Sequence, residues 1–341
     1  MRSIKTRHDD LDADPFGERL RGELRTRVQL LGGRFEFHCQ SSQLHDLVKW
    51  AYAHLPPHEF VRPAPRFRVR VAHTPPERSR PRSEPVRIEM LSGGGLLCGT
   101  TGRSDFAVMS PASKSALVVI SPQMLRFPYH TRYELIEFAV FTLAARGQGL
   151  MPLHAACIGQ DDRAVLLLGA SGAGKSTAAL HCLLRGLEFV SEDSVFVEPV
   201  SLRASGVANF LHIRRDSLRR LPRSTAAKIR RSPIIRRRSG VEKLEIDLRR
   251  PEFRLAATPL RIAAIVFVSS EPATTRLLTA RLPQRVALAR FEASQPYAAA
   301  RVGWSAFRKY VARLPAFELR RGRYPDDAVD ALQDVLASTR H

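Results

Sequence analysis

Cysteine is scarce in this chain. Its 341 residues include four, Cys39, Cys98, Cys157 and Cys182. They form no CxxC pair and no metal-ligand spacing, which excludes a disulfide framework or a zinc site as the basis of the fold. Buried thiols in a reducing cytosol are the expectation, and with them a cytoplasmic protein. Long apolar runs are missing as well. None approaches the roughly 20 residues that cross a bilayer, so no transmembrane segment is expected. The opening stretch MRSIKTRHDDLDADPFGERL lacks the apolar centre of a secretion signal, and residues 1–20 read as a polar, disordered tail.

Aromatic residues make up 7% of the chain. They are not interleaved with basic residues as a base-stacking platform requires, which argues against nucleic acid as the main partner. Lysine is also rare. Seven of the 54 basic residues are lysine, leaving 47 arginines, and the net charge is +21. A concentrated basic patch attracts nucleic acid, anionic lipid or an acidic peptide. Here arginine is spread along the whole chain, a bias that a GC-rich genome produces alongside many alanines.

What is present is an ordinary globular composition, 44% hydrophobic, at a length that allows two domains. GRFEFHC and PRFRVRVAH alternate apolar with polar residues and read as half-buried strands, with an amphipathic helix, SSQLHDLVKWAYAHL, between them. A proline-rich loop follows, then the strands VRIEML, DFAVMS and SALVVIS. Residues 21–127 are therefore expected to form a small α+β domain, and nothing in it looks catalytic. HTRYELIEFAVFTLAARGQG changes to helical spacing through Leu135, Ile136, Ala139, Val140 and Leu143, and a second domain is expected over 128–341. MPLHAACIG and RAVLLLGA read as a β-hairpin. Its expected four-residue loop pairs Ile158 with Arg163 and sets His154 opposite Leu167. Strands VEKLEIDL and RIAAIVFVSS come later, after an arginine-rich stretch over 203–238, and three helices close the chain. That stretch reads either as a solvated loop or as a lid that docks an acidic substrate.

The pattern G-x-x-x-x-G-K-[ST] is complete: Gly169, Ala170, Ser171, Gly172, Ala173, Gly174, Lys175, Ser176. Glycines let backbone N–H groups turn inward around an anion, the lysine reaches the β and γ phosphates, and the serine hydroxyl takes a place on Mg²⁺. A strand precedes the loop and a helix follows it, so the helix dipole adds its positive end. Residues 169–176 with Thr177 are the expected nucleotide-binding set. Such a loop also needs a carboxylate for the metal and, in a transferase, a base. Glu192 and Asp193 are the next acids. A helix over about 175–185 carries the chain roughly 16 Å away, and an extended LEFVS carries it about 16 Å back. A right-handed crossover therefore returns Glu192 and Asp193 to the phosphate end of the sheet. His154 is a third candidate, either a core histidine or a group that contacts phosphate or orients a carboxylate. His181 reads as packing. LSGGG at 91–95 precedes the loop and reads as a glycine turn, not an ABC-type signature. No NKxD follows, which argues against a guanine switch protein.

These elements resemble a known family. LHAACIGQDDRAVLLLGASGAGKSTAALHCLLRGLEFVSEDSV is similar to the catalytic domain of HPr kinase/phosphorylase and its kinase relatives, most specifically over 153–195. The resemblance rests on His154, the GASGAGKS loop, and Arg185-Gly186 followed by Val190-Ser191-Glu192-Asp193. It implies an α/β P-loop kinase domain with a mixed sheet of the kind shared with phosphoenolpyruvate carboxykinase, preceded by the small α+β domain. It implies ATP and Mg²⁺ as cofactors and transfer of the γ-phosphoryl group to a serine hydroxyl of a peptide or protein. Asp193 is then the base, with Ser176 and Asp193 on the metal, Glu192 as helper, and His154 and Lys175 as active-site partners. Family members are often homo-oligomers, and some relatives look like tailoring kinases for ribosomally made peptides. The sequence departs from the family at Thr177, where a glutamate is usual, and at Glu192, where an aspartate is usual. Two alternatives stay open: a nucleotide-binding regulatory or assembly module without transfer, and a small-metabolite kinase.

Overall fold

The computed structural model describes residues 23–60, 63–74, 83–85, 87–101, 104–275 and 277–339. The expected tail over 1–20 lies outside the described residues. By its contacts the chain divides into two compact units, neither a single run of sequence. One comprises Met1–Arg27, Glu36–Ala51 and Arg68–Val140; the other comprises Val28–Phe35, Tyr52–Phe67 and Phe141–His341.

The early strands of the chain alternate apolar with polar residues. β1 (Leu24–Leu30) and β2 (Gly33–Cys39) lead into helix α1 (Ser42–Tyr52), then β3 (Arg66–His73), β4 (Glu89–Gly93), β5 (Leu96–Thr101), β6 (Asp105–Ser110) and β7 (Ser115–Ile120). They form a seven-stranded sheet in the order β1-β2-β3-β7-β6-β5-β4. Phe35, Phe37 and Cys39 point into the core while Arg34, Glu36 and His38 point outward, the period-2 pattern of a one-sided sheet. α1 buries Leu44, Val48, Ala51 and Tyr52. Gly94 and Gly95, at φ +57° and +79°, make the turn between β4 and β5 that LSGGG promised.

A helical stretch follows, with a turn at Pro128–His130, a π-helical turn at Thr131–Ile136 and the α-helix α2 (Glu137–Gly147). Leu135, Ile136, Ala139, Val140 and Leu143, the residues at helical spacing, are all fully buried.

The second unit is mixed α/β. β8 (Met151–His154), β9 (Ala156–Gln160) and β10 (Arg163–Leu168) come before helix α3 (Lys175–Leu184). β11 (Glu188–Ser191), β12 (Ser194–Val197) and β13 (Arg203–Gly206) follow. Then come β14 (Phe210–Ile213), α4 (Arg223–Ile229), β15 (Ile234–Arg236), β16 (Glu242–Asp247) and β17 (Leu260–Pro272). β18 (Thr279–Arg281), α5 (Gln284–Ala293), α6 (Pro296–Ala299), α7 (Trp304–Val311), β19 (Ala316–Arg321) and α8 (Pro325–Ser338) complete the chain. The main sheet runs β11-β9-β10-β17-β13-β12-β8, with β19 also on β17 and β18 on β19. β10, β17 and β19 are parallel neighbours, whereas β9 is antiparallel to β10 and to β11. The sheet is buried on both faces, as parallel sheets are. Ile158, Val165, Leu167 and Val266 pack with α3 and α8; Cys157, Leu166, Leu168 and Phe267 pack with α5 and α7.

Two expectations are corrected. The β9–β10 hairpin has a two-residue turn, not four: Gln160 pairs with Arg163 across Asp161 and Asp162, both at positive φ. Aspartate tolerates that conformation, and the tight turn matches the twist of the strands. His154 therefore does not face Leu167. It ends β8, a separate strand, and pairs with Ser194 of β12. The arginine-rich stretch is no loop either. It supplies β13, β14, a 3₁₀ turn at Arg215–Arg220, α4 and β15. β14 and β15 flank β16 in a small three-stranded sheet, whose Leu211, Ile213, Leu244 and Ile246 join the core beneath α3.

β13 crosses close under the end of β11 at a glycine. A Cβ on Gly206 would lie 2.5 Å from the Val190 carbonyl oxygen and 2.5 Å from the Ser191 Cβ. Gly206→Ala is expected to lower stability by about 1–3 kcal/mol through this overpacking. Chemical denaturation of the purified variant measures it.

Candidate active site

The loop between β10 and α3 needs its glycines. Gly169 sits at φ +149°, and a Cβ there would come 2.6 Å from the Val268 carbonyl oxygen of β17. Gly172 and Gly174 lie at φ +86° and +108°, in the left-handed region that favours glycine. Gly174 caps α3 with no side chain. The first N–H groups of the helix thus have no intrahelical acceptor and face outward, an anion cradle backed by the helix dipole. Lys175 folds back over the loop, its Nζ donating to the Gly169 carbonyl at 2.7 Å. Burial holds its ammonium below the usual lysine range, against the pull of Asp193 and Glu192.

The crossover returns the acidic pair to this cradle. The Ser176 hydroxyl donates to Glu192 Oε1 at 2.8 Å. Glu192 is buried, while Asp193 beside it is partly open. Asp193 Oδ1 lies 3.1 Å from His154 Nδ1, and its Oδ2 lies 3.8 Å from Arg237 Nη2. His154 is exposed at its side chain but fixed at its backbone. Gln295, buried between α5 and α6, accepts the His154 N–H at 2.7 Å and donates to its carbonyl at 3.1 Å. His181 faces Asp326 of α8 at 3.3 Å and is buried, in keeping with packing.

Several members of the site were not singled out from the sequence. His212 of β14 donates its backbone N–H to Glu192 Oε2 at 2.7 Å, and its Nδ1 lies 3.0 Å from the same oxygen. Its Nε2 lies 3.2 Å from Glu245 Oε1 of β16. Lys243 Nζ is 3.8 Å from Glu192 Oε1. Burial alone would push the Glu192 carboxyl up. The hydrogen bonds and charge of His212, with the Lys243 ammonium, outweigh it and hold the group down to about 2. Burial likewise disfavours charge on His212, yet the two carboxylates raise its ring above the usual histidine range. The available signal was weak: a histidine inside the apolar FLHI and a glutamate inside KLEID interrupt otherwise buried strands.

His154, Glu192, Asp193, His212, Arg237 and Lys243 line one cavity of about 570 Å³, together with loop residues 171–176. Arg214, Arg219 and Arg220 of the arginine-rich stretch also line it, as do Arg320 and Arg321 at the end of β19 and Tyr324 after it. The cavity thus has a carboxylate flank, an anion cradle in the middle and a basic, aromatic flank beyond it. Among the described residues no group of three or more His, Cys, Asp and Glu side chains forms a ready metal cage. No helix among them is long and apolar enough to cross a membrane.

No family model matches the chain, and no curated protein does. Among solved structures it is similar to the Hpr(Ser) kinase/phosphatase from Coxiella burnetii, with 12% identity over 56% of this chain and 99% of that one. The TM-score is 0.29. A likeness at that level carries no argument, and the site has to be understood from its own geometry.

Gln295→Ala removes both hydrogen bonds to the His154 backbone and leaves buried polar groups unpaired. It is expected to cost about 1–3 kcal/mol, whereas His154→Ala at its exposed side chain is expected to stay within about 0.5 kcal/mol. Urea titrations of the two variants test the contrast.

Proposed function

We propose that this protein is an ATP- and Mg²⁺-dependent kinase that moves the γ-phosphoryl group to a hydroxyl, most simply a serine of a peptide or protein. The observation that carries the reading is the Ser176–Glu192 hydrogen bond, with the Asp193–His154 pair next to it on the same cavity. A glycine cradle alone binds anions. A cradle with one carboxylate on its serine and a second, open carboxylate at its mouth has the parts of phosphoryl transfer.

The donor set fits magnesium. Mg²⁺ takes one or two protein oxygens and fills its shell with water and substrate phosphates, so it needs no ready-made cage. Ser176 and Glu192 would hold it, and Asp193 lies next in the chain. When bound with the nucleotide, the ion neutralises the charge that develops on the phosphates. The protein does the rest. Loop N–H groups and Lys175 hold the phosphates. Asp193, oriented by His154, accepts the acceptor's hydroxyl proton as the new P–O bond forms and the bond to the β–γ bridging oxygen breaks, releasing ADP. Arg214, Arg237 and Lys243 near the acidic pair suit an acceptor that carries negative charge.

Strand order gives the nucleotide a direction. Along one end of the sheet the acidic pair follows β11, the cradle follows β10, and Arg320 and Arg321 close β19 two strands over. With the γ-phosphate toward the acidic pair, the nucleoside points to the opposite flank, where Tyr324 stands 58% exposed.

Asp193→Asn is expected to lower transfer of labelled γ-phosphate by about a hundredfold or more while leaving ATP binding in place. Equal transfer by this variant would remove Asp193 from the chemistry. Nucleotide binding with no phosphorylated product from the wild type, across peptide and small hydroxyl acceptors, would favour a binding module instead. Tyr324→Ala is expected to weaken ATP about tenfold, the scale of one lost base stack, and to leave inorganic tripolyphosphate unaffected. Calorimetric titration with both ligands separates the two flanks.

A further inference from the structure

Glu192 is held from two sides. Its Oε1 accepts the Ser176 hydroxyl, and its Oε2 accepts both the backbone N–H and the ring of His212. The ring is itself held from behind by Glu245, which lies directly opposite His212 in the β14–β16 ladder. Each ring nitrogen of His212 thus faces a carboxylate oxygen, Nδ1 toward Glu192 and Nε2 toward Glu245. Rotating the ring breaks two bonds at once. Rotating the Glu192 carboxylate breaks three.

This arrangement is costly for a core. His212 is 4% exposed and Glu245 1%, and their strand neighbours Leu211, Ile213, Leu244 and Ile246 are all apolar core. Apolar residues at 212 and 245 would pack there without burying an imidazole and a carboxyl group. Packing therefore does not account for the pair, whereas its contact with Glu192 does.

Resting on the kinase reading, we infer that His212, seated by Glu245, is a positioning residue that fixes the Glu192 carboxylate toward Ser176. Its job is the metal-dependent part of nucleotide binding, not the cradle itself. The chain of contacts Glu245–His212–Glu192–Ser176 joins the small three-stranded sheet to the first turn of α3. Lys243, on the same strand as Glu245, is the other cation at Glu192 Oε1.

The test is ADP binding to the full chain, titrated once with Mg²⁺ and once with a chelator. In the wild type, Mg²⁺ tightens ADP. His212→Leu is expected to reduce that tightening by about tenfold or more, the scale seen when a partner behind a metal ligand is lost. Its chelator-measured affinity is expected to stay close to the wild-type value. His212→Asn, which keeps a donor near the Nδ1 position, is expected to restore most of the effect. The inference is overturned if folded His212→Leu keeps the full Mg²⁺ effect, or if it loses chelator-measured affinity to the same extent. A wild type that binds ADP identically with and without Mg²⁺ overturns the kinase reading itself and this inference with it, an outcome visible before any variant is made.

Discussion

The contact between Ser176 and Glu192 closes the site. It joins the first turn of α3 to the residue after β11, 16 positions apart in sequence. For it to form, α3 must run away from the loop, the chain must turn at Gly186, and β11 must return in the plane of the sheet. The helix supplies its own buried face, Ala178 to Leu183, so that the crossover packs on the same core as β9 and β10. The remaining polar groups are arranged around that junction. Asp193 follows it in sequence, His154 meets it from β8, and the small sheet reaches it through β14 and β16.

Charge balance explains how such a junction survives burial. Two buried carboxylates, Glu192 and Glu245, stand against the His212 ring and the Lys243 ammonium. A buried charge without a partner is driven to neutrality. Here each carboxylate has one, and Glu192 stays ionised in spite of its surroundings. Asp193 works under different conditions. It is partly open, with a mobile-length arginine and an exposed imidazole for neighbours. Adjacent acids thus have separate environments, one buried and held by fixed partners, the other partly open to the cavity.

Much of this was legible before any coordinates. The cradle is local, and each glycine in it is required by backbone geometry that the motif encodes. The return of residues 192 and 193 followed from two rise-per-residue lengths and the handedness of crossovers. Periodicity marked the strands around the cradle, β16, β17 and the closing helices of the second unit; it did not mark β13, β14, β15, β18 or β19. The hairpin register was misread because Asp161 and Asp162 both adopt positive φ, which asparagine or glycine would have signalled more clearly. His154 reached Asp193 by another route, across β12. His212 and Glu245 carry only the weak signal of a polar residue in a buried strand, and Gln295 carries none. Each acts through a partner 20, 33 or 141 positions away, a distance that only the fold reveals. The arginine-rich stretch looked like solvent-facing loop because its composition hides the apolar residues, Leu211, Ile213, Leu218 and Ile229, that anchor it.

The grip of Gln295 on the backbone of His154 has a consequence for biosynthesis. The histidine leaves the ribosome 141 residues ahead of the glutamine that holds it. β17 and β19, which complete the parallel core, also emerge after the phosphate cradle has been made. A nascent chain can close its glycine loop early, but the backbone of His154 is gripped only once Gln295 has emerged. The corner where His154 meets Asp193 is therefore completed well after the glycine loop, by the order in which its parts are synthesised.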